Sequence, residues 1–104
     1  MAERARDETP EMRRLRKKID ALDRKIVGLL NERADLGREI GRAKAAAGRR
    51  TITDRERERE VLLRVSMANG GPLPQADLLA MYRRLIAATR ALEAADRREG
   101  SDGD

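Results

Sequence analysis

Two basic side chains interrupt the apolar face of the first predicted helix. Arg33 occupies the heptad position that Ile19, Ile26 and Ile40 also share, and Lys44 follows eleven residues later, about 20° away around a helix. Their Cα atoms would be roughly 16 Å apart along the axis. Two long side chains that lean toward each other would leave a gap the size of a small ligand.

Polar residues also lie on the inward faces of the two later helices. Arg57 and Glu58 come one turn before the inward apolar residues of the second helix, and Thr89 and Glu93 extend the apolar stripe of the third. Each predicted helix therefore sends polar groups toward the interior. A set of this kind could bind a charged ligand or form buried ion pairs.

The ion-pair interpretation is structural. Arg33 could pair with Glu58, and Lys44 with Glu93, so that each pair fixes the register of two helices. For any one residue this is the safer interpretation. Burying several cations without a compensating anion is costly, however, and the convergence of five or six polar groups favours a pocket for a dianionic ligand.

The chain contains neither cysteine nor histidine. Disulfides, thiolate catalysis and Cys-based metal sites are therefore excluded, and the commonest general base and metal ligand is absent. Any chemistry must use carboxylates, lysine and arginine. We predict no cofactor and no metal site.

Composition predicts one small domain that shares its core with another subunit. The 104 residues include no Trp or Phe, and Tyr82 is the only aromatic residue. Such a chain could build only a thin core alone, so oligomerisation is expected. The charged N-terminus and the interrupted apolar runs resemble neither a signal peptide nor a membrane span, which predicts a cytoplasmic protein.

The net charge of +5 arises from 24 Lys and Arg against 19 Asp and Glu. The charges are mixed along the chain, as on solvated helix faces. The excess still favours an anionic partner, and composition alone leaves nucleic acid, an anionic membrane surface and a small polycarboxylate open.

Periodicity predicts an all-α fold with one long helix and two shorter ones. The first should run from about Glu11 to Ala47 and span roughly 50 Å, so other helices or another chain must bury its stripe. Glycines 28, 37 and 41 would permit close approach of a neighbouring backbone. The stripe has apolar residues at spacings of three and four: Leu15, Ile19, Leu22, Ile26, Leu29, Leu36, Ile40 and Ala43.

A loop and a capping signal separate the first two helices. Thr53 and Glu56 can form a capping box, so the second helix should begin near Asp54. It should end at "NGGP", and Pro74 suits the first turn of the third helix. The third stripe contains Leu78, Met81 or Tyr82, Leu85, Ile86, Thr89 and Leu92. The expected domain covers residues 11–96, with disordered tails at 1–10 and 97–104.

Three segments together resemble a known family. "LRKKIDALDRKIVGLLNERADLGREIGRAK", "ITDRERE" and "MYRRLIAATRALE" are similar, in this order, to the all-helical chorismate mutases, over residues 15 to 93. The resemblance implies an intertwined homodimer whose first helices pair along their length. It also implies two active sites, each built from both chains, that convert chorismate to prephenate.

The same resemblance implies a role for each polar residue. Arg33, with Arg16 from the other chain, would bind the two carboxylates of the substrate. Lys44 would contact a carboxylate and the ether oxygen, and Glu93 would be the second ether-oxygen donor. Glu93 stands where some members have Gln, so it must be protonated to donate. Asp54, Arg57 and Glu58 would line the side that holds the ring hydroxyl, and Thr89 stands where the family often has Ser.

Related substrates and one other class of function remain open. Proteins with this fold also act on 4-amino-4-deoxychorismate or eliminate pyruvate from isochorismate, and the "D..RE" pattern favours chorismate. A basic helical dimer that binds nucleic acid is the non-enzyme alternative, with a face containing Arg13, Arg14, Lys17, Lys18 and Arg24. Neither an aromatic stacking platform nor a helix-turn-helix spacing supports it, so no nucleic-acid partner is predicted.

Overall fold

Three α-helices account for most of the described chain. The computed structural model describes residues 7–50 and 53–102. Helix α1 covers Pro10–Ala46, α2 covers Arg55–Ala68 and α3 covers Gln75–Asp102. No strand occurs within these described ranges, so the predicted all-α class is confirmed.

Local sequence explains the start of α1. The Thr9 hydroxyl accepts a hydrogen bond from the Met12 backbone N–H at 3.1 Å, and Pro10 occupies the first helical position, where its missing N–H costs nothing. The helix therefore begins one residue before the predicted Glu11. It ends at Ala46, and Gly48 follows with φ +79°, in the left-handed region that glycine tolerates.

The predicted capping box before α2 is wrong in detail. The N-cap is Asp54, whose Oδ1 accepts from the Arg57 backbone N–H at 3.0 Å. A carboxylate is at least as good a cap as the Thr53 hydroxyl, and its charge also suits the positive end of the helix dipole. Helix α2 ends at Ala68 with Asn69 as C-cap, directly before the predicted glycine pair.

Helix α3 is longer than expected. It continues from Gln75 to Asp102, so residues 97–102, which were predicted to belong to a disordered tail, extend the helix. At its other end Pro74 precedes the first helical residue, and its carbonyl accepts from Leu78 N at 3.1 Å. Tyr82, rather than the exposed Met81, lies on the partly buried face.

The chain divides between Arg33 and Ala34 into two compact units. The first unit contains the N-terminal part of α1, whose apolar side chains Leu15, Ile19, Leu22, Ile26 and Leu29 are 45% to 64% exposed. In the second unit α2 packs against α3, and the C-terminal part of α1 contacts α3 through Gly37 and Gly41. No apolar side chain among the described residues is buried.

Gly37 and Gly41 allow the close approach of α1 and α3. A Cβ at Gly37 would collide with the Thr89 methyl group, and one at Gly41 would lie 3.0 Å from Glu93 Cγ. The predicted close approach is therefore made by side chains of α3 rather than by its backbone. Gly28, by contrast, has no atom within 4 Å of such a Cβ.

We expect Gly37→Ala to destabilise the protein by about 1–3 kcal/mol, because the added methyl group must push Thr89 away. Gly28→Ala is the matched control. It should change stability by less than about 1 kcal/mol, in the stabilising direction, since alanine is the better helix former. Urea unfolding of both variants measures the difference, and equal stabilities would contradict the proposed contact.

Candidate active site

Glu93 and Thr89 are the most deeply buried polar residues of the described chain. Each is 8% exposed, and they lie one turn apart on α3, facing the glycines of α1. The Thr89 hydroxyl donates to the Leu85 carbonyl at 3.0 Å, within its own helix. The hydroxyl proton of Thr89 is therefore already used in a hydrogen bond, and the lone pairs of the hydroxyl oxygen can still accept one.

The environment of Glu93 favours the neutral carboxyl group. Burial raises the pKa of Glu93 above its ordinary value, and the carboxylate of Asp96 acts in the same direction. The positive charges of Lys44 and Arg97 oppose this rise without cancelling it. The result is a carboxyl group, in the electrostatic field of Lys44, that is a hydrogen-bond donor over a wider pH range than a free glutamate.

Lys44 acts on Glu93 through its positive charge, which opposes the rise in the pKa of Glu93. Lys44 lies in the last turn of α1 and is half-buried. An ammonium group and a protonated carboxyl group can both stabilise negative charge on one oxygen atom. The Lys44–Glu93 ion pair suggested from sequence stays a prediction.

Glu58 pairs with Arg90, a residue that the sequence analysis did not select. Arg90 Nη1 lies 2.9 Å from Glu58 Oε1, across the packed helices α2 and α3. The carboxylate of Glu58 is thus bound by a residue of α3, and the pairing of Glu58 with Arg33 stays a prediction. Arg90 was missed because it follows Thr89 directly and lies outside the apolar stripe that selected the other candidates.

Asp54 and Arg57 lie at the start of α2. The carboxylate of Asp54 caps the helix, as described above, which fixes the first turn that carries both Arg57 and Glu58. The Arg57 guanidinium lies 3.3 Å from the Glu60 carboxylate and is more than half exposed. Asp54 therefore has a structural role within this chain, and the side chain of Arg57 extends into solvent.

Arg16 and Arg33 belong to the first unit. Arg16 forms a salt bridge with Glu8 and keeps 55% of its side chain exposed, whereas Arg33 is half-buried on α1. The other six predicted site residues, Lys44, Asp54, Arg57, Glu58, Thr89 and Glu93, all lie in the second unit.

Two features of the described residues bear on other kinds of function. No group of three or more acidic residues within 7–50 and 53–102 has an arrangement that could hold a metal ion. In the same ranges no helix is apolar over a length that could cross a membrane.

Residues 15–94 match the family described as chorismate mutase type II. The curated relatives of this chain include two bifunctional chorismate mutase/prephenate dehydratases. The protein from Aquifex aeolicus is 42% identical over 87 residues, which are 80% of this chain and 24% of that protein. The protein from Stutzerimonas stutzeri is 33% identical over 83% of this chain and 25% of its own length. The chain thus spans about a quarter of these relatives.

The fold is also similar to a solved structure of comparable size. Form II of the chorismate mutase from Thermus thermophilus superposes with a TM-score of 0.77 and 33% sequence identity. The match covers 81% of this chain and 94% of that chain. The similarity therefore includes nearly all of that solved chain.

Proposed function

Because the chain belongs to the chorismate mutase type II family, we propose that it catalyses the Claisen rearrangement of chorismate to prephenate. The observation that carries the proposal is the buried Glu93, with its raised pKa, in the field of Lys44. The reaction breaks one carbon–oxygen bond and forms one carbon–carbon bond within a single molecule. It needs no nucleophile and no redox step, which suits a chain without cysteine or histidine.

The proposed mechanism has two parts. The enzyme holds the substrate in the diaxial chair conformer, which brings the reacting carbons together and removes the entropy cost of reaching that geometry. Lys44 and protonated Glu93 then bind the ether oxygen, where negative charge develops as its bond to the ring breaks. Both groups bind the transition state more strongly than the ground state, as catalysis requires.

Arginines bind the substrate's carboxylates in this proposal. Arg33 binds one of them, and Arg16 of a second copy binds the other, since each guanidinium can donate two parallel hydrogen bonds to a carboxylate. Glu58 accepts a hydrogen bond from the ring hydroxyl. Its salt bridge to Arg90 supports this role, because the guanidinium holds the carboxylate in a fixed orientation.

A homodimer is part of the proposal. The exposed apolar side chains of the first unit form one stripe along α1, and a stripe of this length on a soluble protein favours burial against a partner helix. A second copy presents the same stripe, so the contact is self-complementary. The cytoplasmic location expected from composition stays a prediction.

The decisive experiment follows the loss of chorismate's ultraviolet absorbance with purified protein. We expect turnover of chorismate and formation of prephenate. Parallel reactions with 4-amino-4-deoxychorismate and isochorismate distinguish the substrates that share this fold, because the ring substituent near Glu58 differs among them. Tight binding of an oligonucleotide without turnover of any of the three would instead support the nucleic-acid alternative.

Replacing Glu93 with glutamine should remove a pH dependence of catalysis. In the wild-type enzyme, turnover falls as pH rises through the raised pKa of Glu93, approaching a tenfold loss per pH unit, because the ionised carboxylate repels the charge on the ether oxygen. Glutamine donates the same hydrogen bond and does not titrate. The variant should therefore keep substantial activity and a flat profile, measured as kcat between mildly acidic and mildly basic pH.

The pH dependence of protein stability also reports on the pKa of Glu93, and this measurement needs no substrate. A carboxyl group whose pKa is raised in the folded state stabilises the fold fully below its unfolded value, 4.5, and this contribution is lost as pH rises through the folded pKa. The Gln variant lacks this loss. Identical pH dependences of Tm and of kcat in the two proteins would remove Glu93 from the mechanism.

A further inference from the structure

A basic cleft lies beside the proposed catalytic pair, between the C-terminal parts of α1 and α3. It has a volume of about 770 Å³, and five arginines line it: Arg38, Arg42, Arg49, Arg50 and Arg97. Lys44 does not line it. The cleft therefore adjoins the proposed substrate site and shares Glu93 with it.

The carboxylates of the cleft do not balance its arginines. Arg38 binds Asp96 through two hydrogen bonds of 2.9 Å, from Nε and Nη2, and this pairing lowers the pKa of Asp96. Glu93 is the other carboxylate that lines the cleft. Four guanidinium groups thus line the cleft with one remaining carboxyl group, which favours an anionic ligand.

Arg97 has hydrogen-bond donors without acceptors. Its Nη1 donates to the Arg50 carbonyl at 2.7 Å, whereas Nε and Nη2 are shielded from solvent and have no partner among the described residues. Leaving buried donors unsatisfied costs about 1–3 kcal/mol, and more when the group is charged. In Arg38, the corresponding atoms Nε and Nη2 bind the two carboxylate oxygens of Asp96.

We propose that this cleft binds a small molecule bearing a phosphate or another multivalent oxyanion, with two of its oxygens on the Nε and Nη2 edge of Arg97. A guanidinium edge matches the spacing of two such oxygens, and the cleft volume is in the range of small-molecule sites. Because the edge is shielded, the ligand must displace covering side chains. Arg49 and Arg50 lie outside the helices, so the proposal includes a movement of these two residues around the anion.

Calorimetric titration of the full chain with inorganic pyrophosphate tests this site, at an ionic strength held constant with sodium chloride. We expect saturable binding by the wild-type protein and at least about a tenfold weaker Kd for Arg97→Gln. The matched control is Arg98→Gln, which removes the same charge from the next, exposed residue of α3. It should stay within about twofold of wild type, as a surface charge contributes little.

Two further variants make the outcome decisive. Lys44→Ala should bind pyrophosphate like wild type, and loss of binding in this variant would locate the anion at the substrate site and overturn the proposal. Equal affinities of Arg97→Gln and Arg98→Gln would overturn it too. Should Arg97→Gln fail to fold, Arg97→Lys keeps the charge but lacks the two-donor edge, and wild-type affinity in that variant would contradict the assigned contact. A titration with citrate distinguishes a polycarboxylate from a phosphate ligand.

Discussion

Lys44→Met is expected to lower kcat by about 10²- to 10³-fold, the usual effect of removing one group that stabilises a developing oxyanion. Methionine keeps an unbranched side chain of similar length, so the last turn of α1 should be preserved. The charge is lost without a replacement. Steady-state kinetics with chorismate measure the effect, and circular dichroism checks that the helices are retained.

The pH dependence of the remaining activity of Lys44→Met should also change. Lys44 opposes the rise in the pKa of Glu93, so its removal should raise that pKa further and move the alkaline decline of turnover to higher pH. Lys17→Met is the matched control, since Lys17 is fully outside the apolar stripe and exposed on the same helix. Equal kcat values for the two variants would refute the role of Lys44.

Mixing inactive Arg16→Ala and Lys44→Ala proteins should restore activity. If each site takes Arg16 from one chain and Lys44 from the other, a heterodimer contains one site without either substitution. Random exchange makes half of the dimers mixed, and half of their sites complete, so the mixture should recover roughly a quarter of wild-type activity.

The control for complementation uses a double variant. A chain with both Arg16→Ala and Lys44→Ala, mixed with Lys44→Ala, exchanges in the same way but can form no site that contains Lys44. This mixture should stay inactive. Confirmed exchange of the two single variants without recovery of turnover would mean that each site is built within one chain, and the shared-site proposal would be wrong.

The helices could be predicted from sequence because their signals are local. Each signal determines the structure of only a few neighbouring residues. These signals are the apolar spacing, Pro10, Pro74 and the glycine pair that follows Asn69. The ends of α1 and α2 and the start of α3 therefore differ little from prediction. Two local details could not be predicted in this way. Either Thr53 or Asp54 could have capped α2, and either Met81 or Tyr82 could have faced inward, because each pair consists of adjacent residues with suitable side chains. The backbone geometry decides between them.

The candidate site was only partly predictable, because some of its contacts are distant in sequence. The inward position of Glu93 follows from periodicity, but the direction of its pKa shift depends on how burial balances against Lys44 and Arg97. The salt bridge from Arg90 to Glu58 joins two helices, and periodicity within one helix carries no information about it. The C-terminal turns of α3 were missed because "REGSDGD" has the composition of a flexible tail.

The lack of any buried apolar side chain among the described residues has a consequence for the life of the protein in a cell. In the proposed homodimer, a single copy would gain little hydrophobic stabilisation, so folding and pairing would form one equilibrium that depends on concentration. Newly made chains at low abundance would then be open to proteases, whereas paired chains would be protected. The amount of the proposed dimer would therefore rise more steeply than the rate of synthesis.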